Sequence, residues 1–341
     1  MKTQIERFGF FFARNFFESR RVRICFSRPW ESRLVSIQNV ISPIESRMKV
    51  AVLIPCFNEE ASVAQVVTES RRFLPNAEIW VIDNASTDRT AELASSVGAK
   101  VLLSPLAGKG NAIRHGFRVI DADYYVMVDG DGTYPMREAP KLLELARTQN
   151  FEMVAGSRLQ RARREAFRPF HFFGNRFFTG LVALSFGFPV RDLLTGLRVF
   201  SRRYRNEVQL TSRGFELETE MTVRAIAQNM AFCEKDISYV ERVSGSSSKL
   251  RTFKDGFKIF MTIASLLAFF RPRFFFGSLG ILCWSIWALA DARWAMPLAP
   301  LTAGFFLAAF VLDHQRRRES FRLRSVEDSS ADPSSSGSKA A

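Results

Sequence analysis

Two carboxylates flank one glycine at the end of an apolar run: Tyr124-Tyr125-Val126-Met127-Val128 leads into Asp129-Gly130-Asp131-Gly132. Paired carboxylate oxygens suit a hard divalent cation, Mg²⁺ or Mn²⁺, which completes its shell with substrate phosphates and water. The glycines allow a diphosphate to approach the backbone. The same tetrapeptide is also an ordinary turn, but its position after a strand-like run favours Asp129 and Asp131 as metal ligands. Other chemistries are thinly supplied. The 3 histidines, His115, His171 and His314, and the 4 cysteines, Cys25, Cys56, Cys233 and Cys283, are scattered. No CxxC pair or histidine at ligand spacing accompanies them, which argues against a zinc centre or a His-based triad. The cysteines read as isolated thiols in a reducing compartment.

Further polar clusters follow other apolar runs. Pro55-Cys56-Phe57-Asn58-Glu59-Glu60 ends the first, and Asp83-Asn84-Ala85-Ser86-Thr87-Asp88 ends the second. Asn58, Ser86 and Thr87 are good helix N-caps, so capping explains part of this polarity. Asp83, directly after Ile79 to Ile82, is placed to accept hydrogen bonds from a nucleotide base or ribose. Gly108-Lys109-Gly110-Asn111 does not fit the P-loop spacing, because Gly110 follows Lys109, yet a cationic glycine turn at a helix start suits a phosphate. Glu216, Glu218 and Glu220 are either first-turn acids of a helix or candidate bases.

The elements that must carry these clusters alternate. Strand-like runs at Val50 to Ile54, Glu78 to Ile82, Lys100 to Leu103 and Tyr124 to Val128 are separated by helical stretches at Ala61 to Phe73, Thr90 to Val97 and Asn111 to Ile120. This order predicts an α/β fold, a Rossmann-like, mainly parallel sheet with helices on both faces. Ligands then lie at the carboxyl ends of the strands, where the polar clusters fall.

In this order the stretches VLIPCFNEE, VIDNASTDRT, GKGNAIRHG, VMVDGDGTYP, GSRL and TGLRVF resemble the family-2 inverting glycosyltransferases of GT-A fold, most of all the dolichyl- and polyprenyl-phosphate sugar synthases. The resemblance spans about Met48 to Leu250. It implies that Pro55, Asn58, Glu59 and Asp83 contact the nucleoside of a nucleotide-sugar donor, with Lys109 nearby. Asp129 and Asp131 would bind diphosphate and metal, Arg158 would stand beside the reacting phosphate, and Lys249 would hold donor phosphate. Catalysis is thereby assigned to Asp131 and Arg158. For the acceptor, a polyprenyl phosphate, it points to the basic aromatic segment containing Arg168, His171 and Arg176, although Phe170 and Gly174 stand where that branch carries an Arg and a Ser.

The remaining chain is read as appendages. Residues 1–47 form an Arg-rich extension upstream of Met48, and 48–250 the catalytic domain. Residues 251–272 are expected to form an interfacial amphipathic helix, 273–313 a transmembrane hairpin, and 314–341 a basic, then Ser-rich disordered tail. Phe274 to Ala290 and Pro297 to Leu312 lack charge and are flanked by basic residues, Arg271 and Arg273 before the pair and Arg316-Arg317-Arg318 after it. The positive-inside rule then sets both ends, and the catalytic domain, on the cytoplasmic side of a cell membrane. The formal net charge of +14 calls for an anionic partner; phosphorylated substrate and bilayer satisfy it, and no nucleic-acid signature is present. A transferase acting on a saccharide or glycolipid hydroxyl is the alternative, and it requires a base.

Overall fold

A computed structural model describes residues 48–158, 169–240, 242, 252–289 and 300–315. The expectations for 1–47, Arg168, Lys249 and 316–341 lie outside these residues, as does the side chain of His171. The chain divides into two compact units, Met1–Ile263 and Ala264–Ala341.

In the first unit, β1 (Val50–Cys56), β2 (Glu78–Asp83), β3 (Lys100–Leu103) and β4 (Tyr124–Met127) alternate with α1 (Val63–Phe73), α2 (Thr90–Ser96) and α3 (Lys109–Val119). α4 (Ala139–Thr148), β5 (Met153–Ser157), α5 (Pro169–Phe186), β6 (Arg198–Ser201), α6 (Arg202–Glu207), α7 (Leu217–Ala227) and β7 (Phe232–Asp236) follow. The seven strands form one sheet in the order β3-β2-β1-β4-β6-β5-β7. β1 pairs in parallel with β2 and β4, β2 with β3, and β5 with β7, whereas β6 runs antiparallel to both β4 and β5. The mainly parallel sheet is thus as the alternation predicts. Every residue of β1 is buried, so both of its faces are covered; that is why it reads as an unbroken apolar run rather than as an alternating one. α1 supplies part of the cover by burying Val63, Val66, Val67 and Ser70, a helical stripe, while Arg71 and Arg72 close its last turn.

α8 (Thr252–Phe270) spans the boundary between the units. The second unit contains α9 (Pro272–Leu289) and α10, which covers 300–315. Arg273 Nε meets Asp313 at 2.8 Å, and the Phe306 ring packs on the bare Cα of Gly280. Among the described residues no single helix is long and apolar enough to cross a membrane, and part of the expected hairpin, 290–299, lies outside them. By length and composition alone, Lys254–Phe270 and Pro272–Ala288, bent by 112° at the break between them, together qualify as one broken span.

Candidate active site

Because β1, β2 and β4 are parallel, their carboxyl ends open on one edge, with Cys56 beside Asp83. Asn58 takes a positive φ of 54°, a conformation that its short polar side chain tolerates. Its amide donates to Ser86 Oγ at 3.0 Å and its Oδ1 accepts from the Thr87 amide at 2.8 Å. The buried Glu59 donates its amide to Thr90 Oγ1 at 2.8 Å. These bonds fasten the loop after β1 to the loop after β2. Asp83 is buried between them: Oδ2 accepts from the Ser86 amide at 3.3 Å, and Oδ1 is buried without a hydrogen-bond partner.

The loop after β4 is held from three sides. Ser62 Oγ donates to the Gly130 carbonyl at 2.7 Å, and a Cβ on Gly130 would overlap Cys56 Sγ. On the far side Gly196, in the turn before β6, leaves room for Asp129, whose Oδ2 would overlap any Cβ placed there. That turn is fixed in its own right, since the Gly196 amide donates to Tyr134 Oη at 2.7 Å and the fully buried Arg198 donates to the carbonyls of Leu193 and Thr195, each at 2.9 Å. Asp131 Oδ1 accepts from the Thr133 amide at 3.1 Å and from Thr133 Oγ1 at 2.7 Å.

Lys109 opens α3 between two glycines. Gly108 has φ 121° and donates its amide to Asn84 Oδ1 at 2.7 Å, and the Gly110 amide donates to the Arg213 carbonyl at 2.9 Å. The Lys109 ammonium lies 2.5 Å from Asp129 Oδ1 and also contacts Glu218 Oε1. Burial pushes its pKa down, but the Asp129 and Glu218 carboxylates outweigh burial and hold it above the ordinary lysine value. Burial raises the Glu218 carboxyl against the pull of Lys109. Asp131 Oδ2 meets the guanidinium of Arg242 at 2.6 Å. The site therefore contains Asp129, Asp131 and Glu218 interleaved with Lys109 and Arg242. Burial, reinforced by Glu59, Asp83, Asp129 and Asp131, pushes the Cys56 thiol well up, so it stays protonated and inert.

Among the described residues no group of three or more His, Cys, Asp or Glu is arranged to hold a metal by itself. Asp129 and Asp131 nevertheless fit a magnesium-like ion that takes its other ligands from phosphate and water. They supply hard oxygens on one loop, and each already draws a cation.

The other expected residues are distributed differently. Arg158 is buried and its guanidinium forms a fork on Asp192, at 2.8 and 2.9 Å, while Asn175 Nδ2 donates to Asp192 Oδ1 at 2.9 Å. Burial raises the Asp192 carboxyl, but Arg158 and the donated hydrogen bonds hold it below the ordinary aspartate range. Tyr239 and Tyr134 lie 5.3 and 6.0 Å from that guanidinium. Pro55 is buried in β1, and Arg176 lies exposed on α5. Glu216 accepts from the Arg213 and Gly214 amides, both at 3.0 Å. Glu220 accepts from the Thr211 and Ser212 amides and from Arg224 Nε, the last at 2.7 Å.

A family model described as glycosyl transferase family 2 matches residues 51–208. Glycosyltransferase AglJ of Haloferax volcanii is 36% identical over 232 residues, which cover 68% of this chain and 76% of that protein. A dolichyl-phosphate hexose transferase of the same organism is 30% identical over 217 residues, 63% of this chain and 92% of that protein. Glucosyl-3-phosphoglycerate synthase from Mycobacterium tuberculosis, solved with Mn²⁺, uridine diphosphate and glucosyl-3-phosphoglycerate, superposes with a TM-score of 0.56 at 19% identity. The match covers 72% of this chain and 87% of that one, and it is a likeness of fold.

Proposed function

Because the chain belongs to glycosyl transferase family 2, we propose that this glycosyltransferase moves a hexosyl group, with inversion, from a UDP- or GDP-sugar to a polyprenyl phosphate at the cytoplasmic face of a cell membrane. The donor end rests on Asp83, whose buried, unpartnered Oδ1 is an acceptor waiting for an N–H or O–H; a nucleoside supplies both. Pro55, Asn58 and Glu59 frame the same pocket edge. Asp129 and Asp131 would hold Mg²⁺ or Mn²⁺, which neutralises charge on the departing diphosphate. Lys109, fixed between its glycines, adds a cation on the same side, and Lys249 is assigned to the donor phosphates. Arg158 is assigned to the acceptor side, with Arg168, His171 and Arg176.

The observation that carries the acceptor class is the engagement of all three glutamates ahead of and within α7. Glu216 and Glu220 are spent on backbone amides, and Glu218 on Lys109. A hydroxyl acceptor needs a base to take its proton. A phosphate monoester, with a second pKa of about 6, arrives ionised and needs only orientation and positive charge. The relative named for dolichyl-phosphate hexose transfer supports the same choice.

The test incubates membranes containing the protein with labelled UDP- and GDP-sugars and polyprenyl phosphate. A lipid-linked monosaccharide is expected; label appearing only on saccharide or glycolipid hydroxyls overturns the acceptor. Glu216→Gln, Glu218→Gln and Glu220→Gln refine it. Each is expected to lower kcat by less than the roughly 100-fold or more that loss of a general base brings. A larger fall at one position, with donor binding intact, returns the hydroxyl reading.

A further inference from the structure

Arg198, the first residue of β6, is fully buried, yet its hydrogen bonds end on uncharged groups. Nε and Nη2 donate to the Thr195 and Leu193 carbonyls, each at 2.9 Å. Nη1 donates to Thr222 Oγ1 at 2.7 Å and reaches Met153 Sδ at 3.7 Å. Burial pulls this guanidinium below the ordinary arginine value, against the attraction of Glu218. An apolar side chain of similar length would avoid that cost. What the guanidinium adds is direction, because its planar fork aims separate nitrogens at separate groups. Those groups belong to the two supports of Asp129. Leu193 and Thr195 lie in the turn whose Gly196 sits against the Asp129 carboxylate with no room for a Cβ. Thr222 lies in α7, and its Oγ1 donates to the Glu218 carbonyl at 3.1 Å, one helical turn earlier. The Glu218 side chain contacts Lys109, whose Nζ returns to Asp129 Oδ1 at 2.5 Å. The contacts close a ring, from Asp129 through Gly196, Arg198, Thr222, Glu218 and Lys109 back to Asp129.

Resting on the assignment of Asp129 and Lys109 to the donor side of the site, we infer that Arg198 is a positioning residue: it locks the turn before β6 to α7 and so fixes the Lys109 ammonium against the Asp129 carboxylate. It acts from beneath the site, through its neighbours. Negative charge on the departing diphosphate grows as its bond to the sugar breaks. Misplacement of Lys109 relative to Asp129 therefore costs more in the transition state than in the bound donor. Loss of the lock lowers kcat more than it raises the donor's KM. The ring has a second consequence. Because Arg198 holds both elements, loosening its contact with Thr222 on α7 also loosens the turn at 193–196.

Arg198→Met removes the lock but puts the fold at risk, so the decisive variant is Thr222→Val, which deletes one hydroxyl. The purified full chain is followed by hydrogen exchange and by hexosyl transfer from labelled UDP- and GDP-sugars to polyprenyl phosphate, at a temperature where thermal melts show parent and variant folded. Thr222→Val is expected to speed exchange in residues 193–197 as well as at the start of α7. It should lower kcat at least about tenfold and raise the donor's KM less than about threefold. Thr222→Ser, which keeps the hydroxyl, should restore exchange and kcat together. Parent-like exchange at 193–197 in Thr222→Val overturns the lock, and parent-like kcat with faster exchange there overturns the positioning role. A parent protein that transfers hexose from neither donor overturns the donor assignment instead, while the exchange measurement still decides whether Arg198 ties the turn to α7.

Discussion

Gly196 sits where a side chain would displace the carboxylate that defines the site, because a Cβ there overlaps Asp129 Oδ2. Its neighbours leave little slack, with its amide on Tyr134 Oη and the adjoining carbonyls on Arg198. Gly196→Ala is accordingly expected to move Asp129 by a fraction of an ångström or more and to lower kcat/KM about 100-fold, the scale at which misplacement of a catalytic group is felt. Parent-like kcat/KM in a folded variant would show that Asp129 is not needed where it stands. The contrast between this residue and Asp129 also shows what a sequence can disclose. Asp83, Asp129 and Asp131 are readable because each ends an apolar run, and a strand end is a local feature. Glu218 is only half readable: Glu216, Glu218 and Glu220 share one helix start, and only tertiary packing turns Glu218 toward Lys109 and the others onto backbone amides. Gly196 stands within TGLRVF, but its close approach to Asp129, like the contact of Arg242 with Asp131, is made only by chain far away.

At the scale of elements, β7 carries a carboxyl group that makes stability depend on pH. Glu234 accepts from the Arg191 amide at 2.7 Å and the Asp192 amide at 3.0 Å, so it braces the segment that presents Asp192 to Arg158. Burial pushes it up to about 7, against those hydrogen bonds, from an ordinary 4.5. The folded state holds this proton more firmly than the unfolded chain does. Its contribution to stability is therefore complete below the ordinary value, declines as pH rises from about 4.5 to about 7, and stays flat above. Melting temperatures measured across this window should fall with pH in the parent protein and fall less in Glu234→Gln; identical slopes would remove Glu234 as the cause. The first half of the sheet was legible because β1 to β4 are short apolar runs parted by helical stretches. The observed bounds, such as Lys100–Leu103 for β3, agree with that reading to within two residues. The reversed β6 was not legible. Four residues carry no sign of their direction, which is decided by their partners Tyr124 to Met127 on one side and Met153 to Ala155 on the other.

The whole molecule combines a formal charge of +14 with apolar side chains left in the open. On α5, Phe177 and Leu184 are 61% and 74% exposed, and on α9 Ile281, Leu282 and Trp284 each exceed half. Such residues mark surfaces that bury themselves against a partner, and beside excess Lys and Arg the partner we propose is an anionic bilayer. The full chain is expected to sediment with vesicles containing anionic phospholipid and to remain with them at about 1 M salt, where the screening length is only ~3 Å. Complete release by salt would reduce the attachment to surface charge and remove the argument for buried apolar anchorage. The direction of β6 has one more consequence, for how the chain tolerates changes of length. A strand that runs with its neighbours meets the site as it ends; β6 meets it as it begins, with Arg198 beside Met127. Residues inserted between Gly187 and Val190 lengthen an approach path. A single residue inserted between Gly196 and Arg198 turns every β6 side chain to the opposite face and withdraws the fully buried Arg198 from the turn that it holds. Natural variation in loop length should therefore collect ahead of Asp192 and stop there.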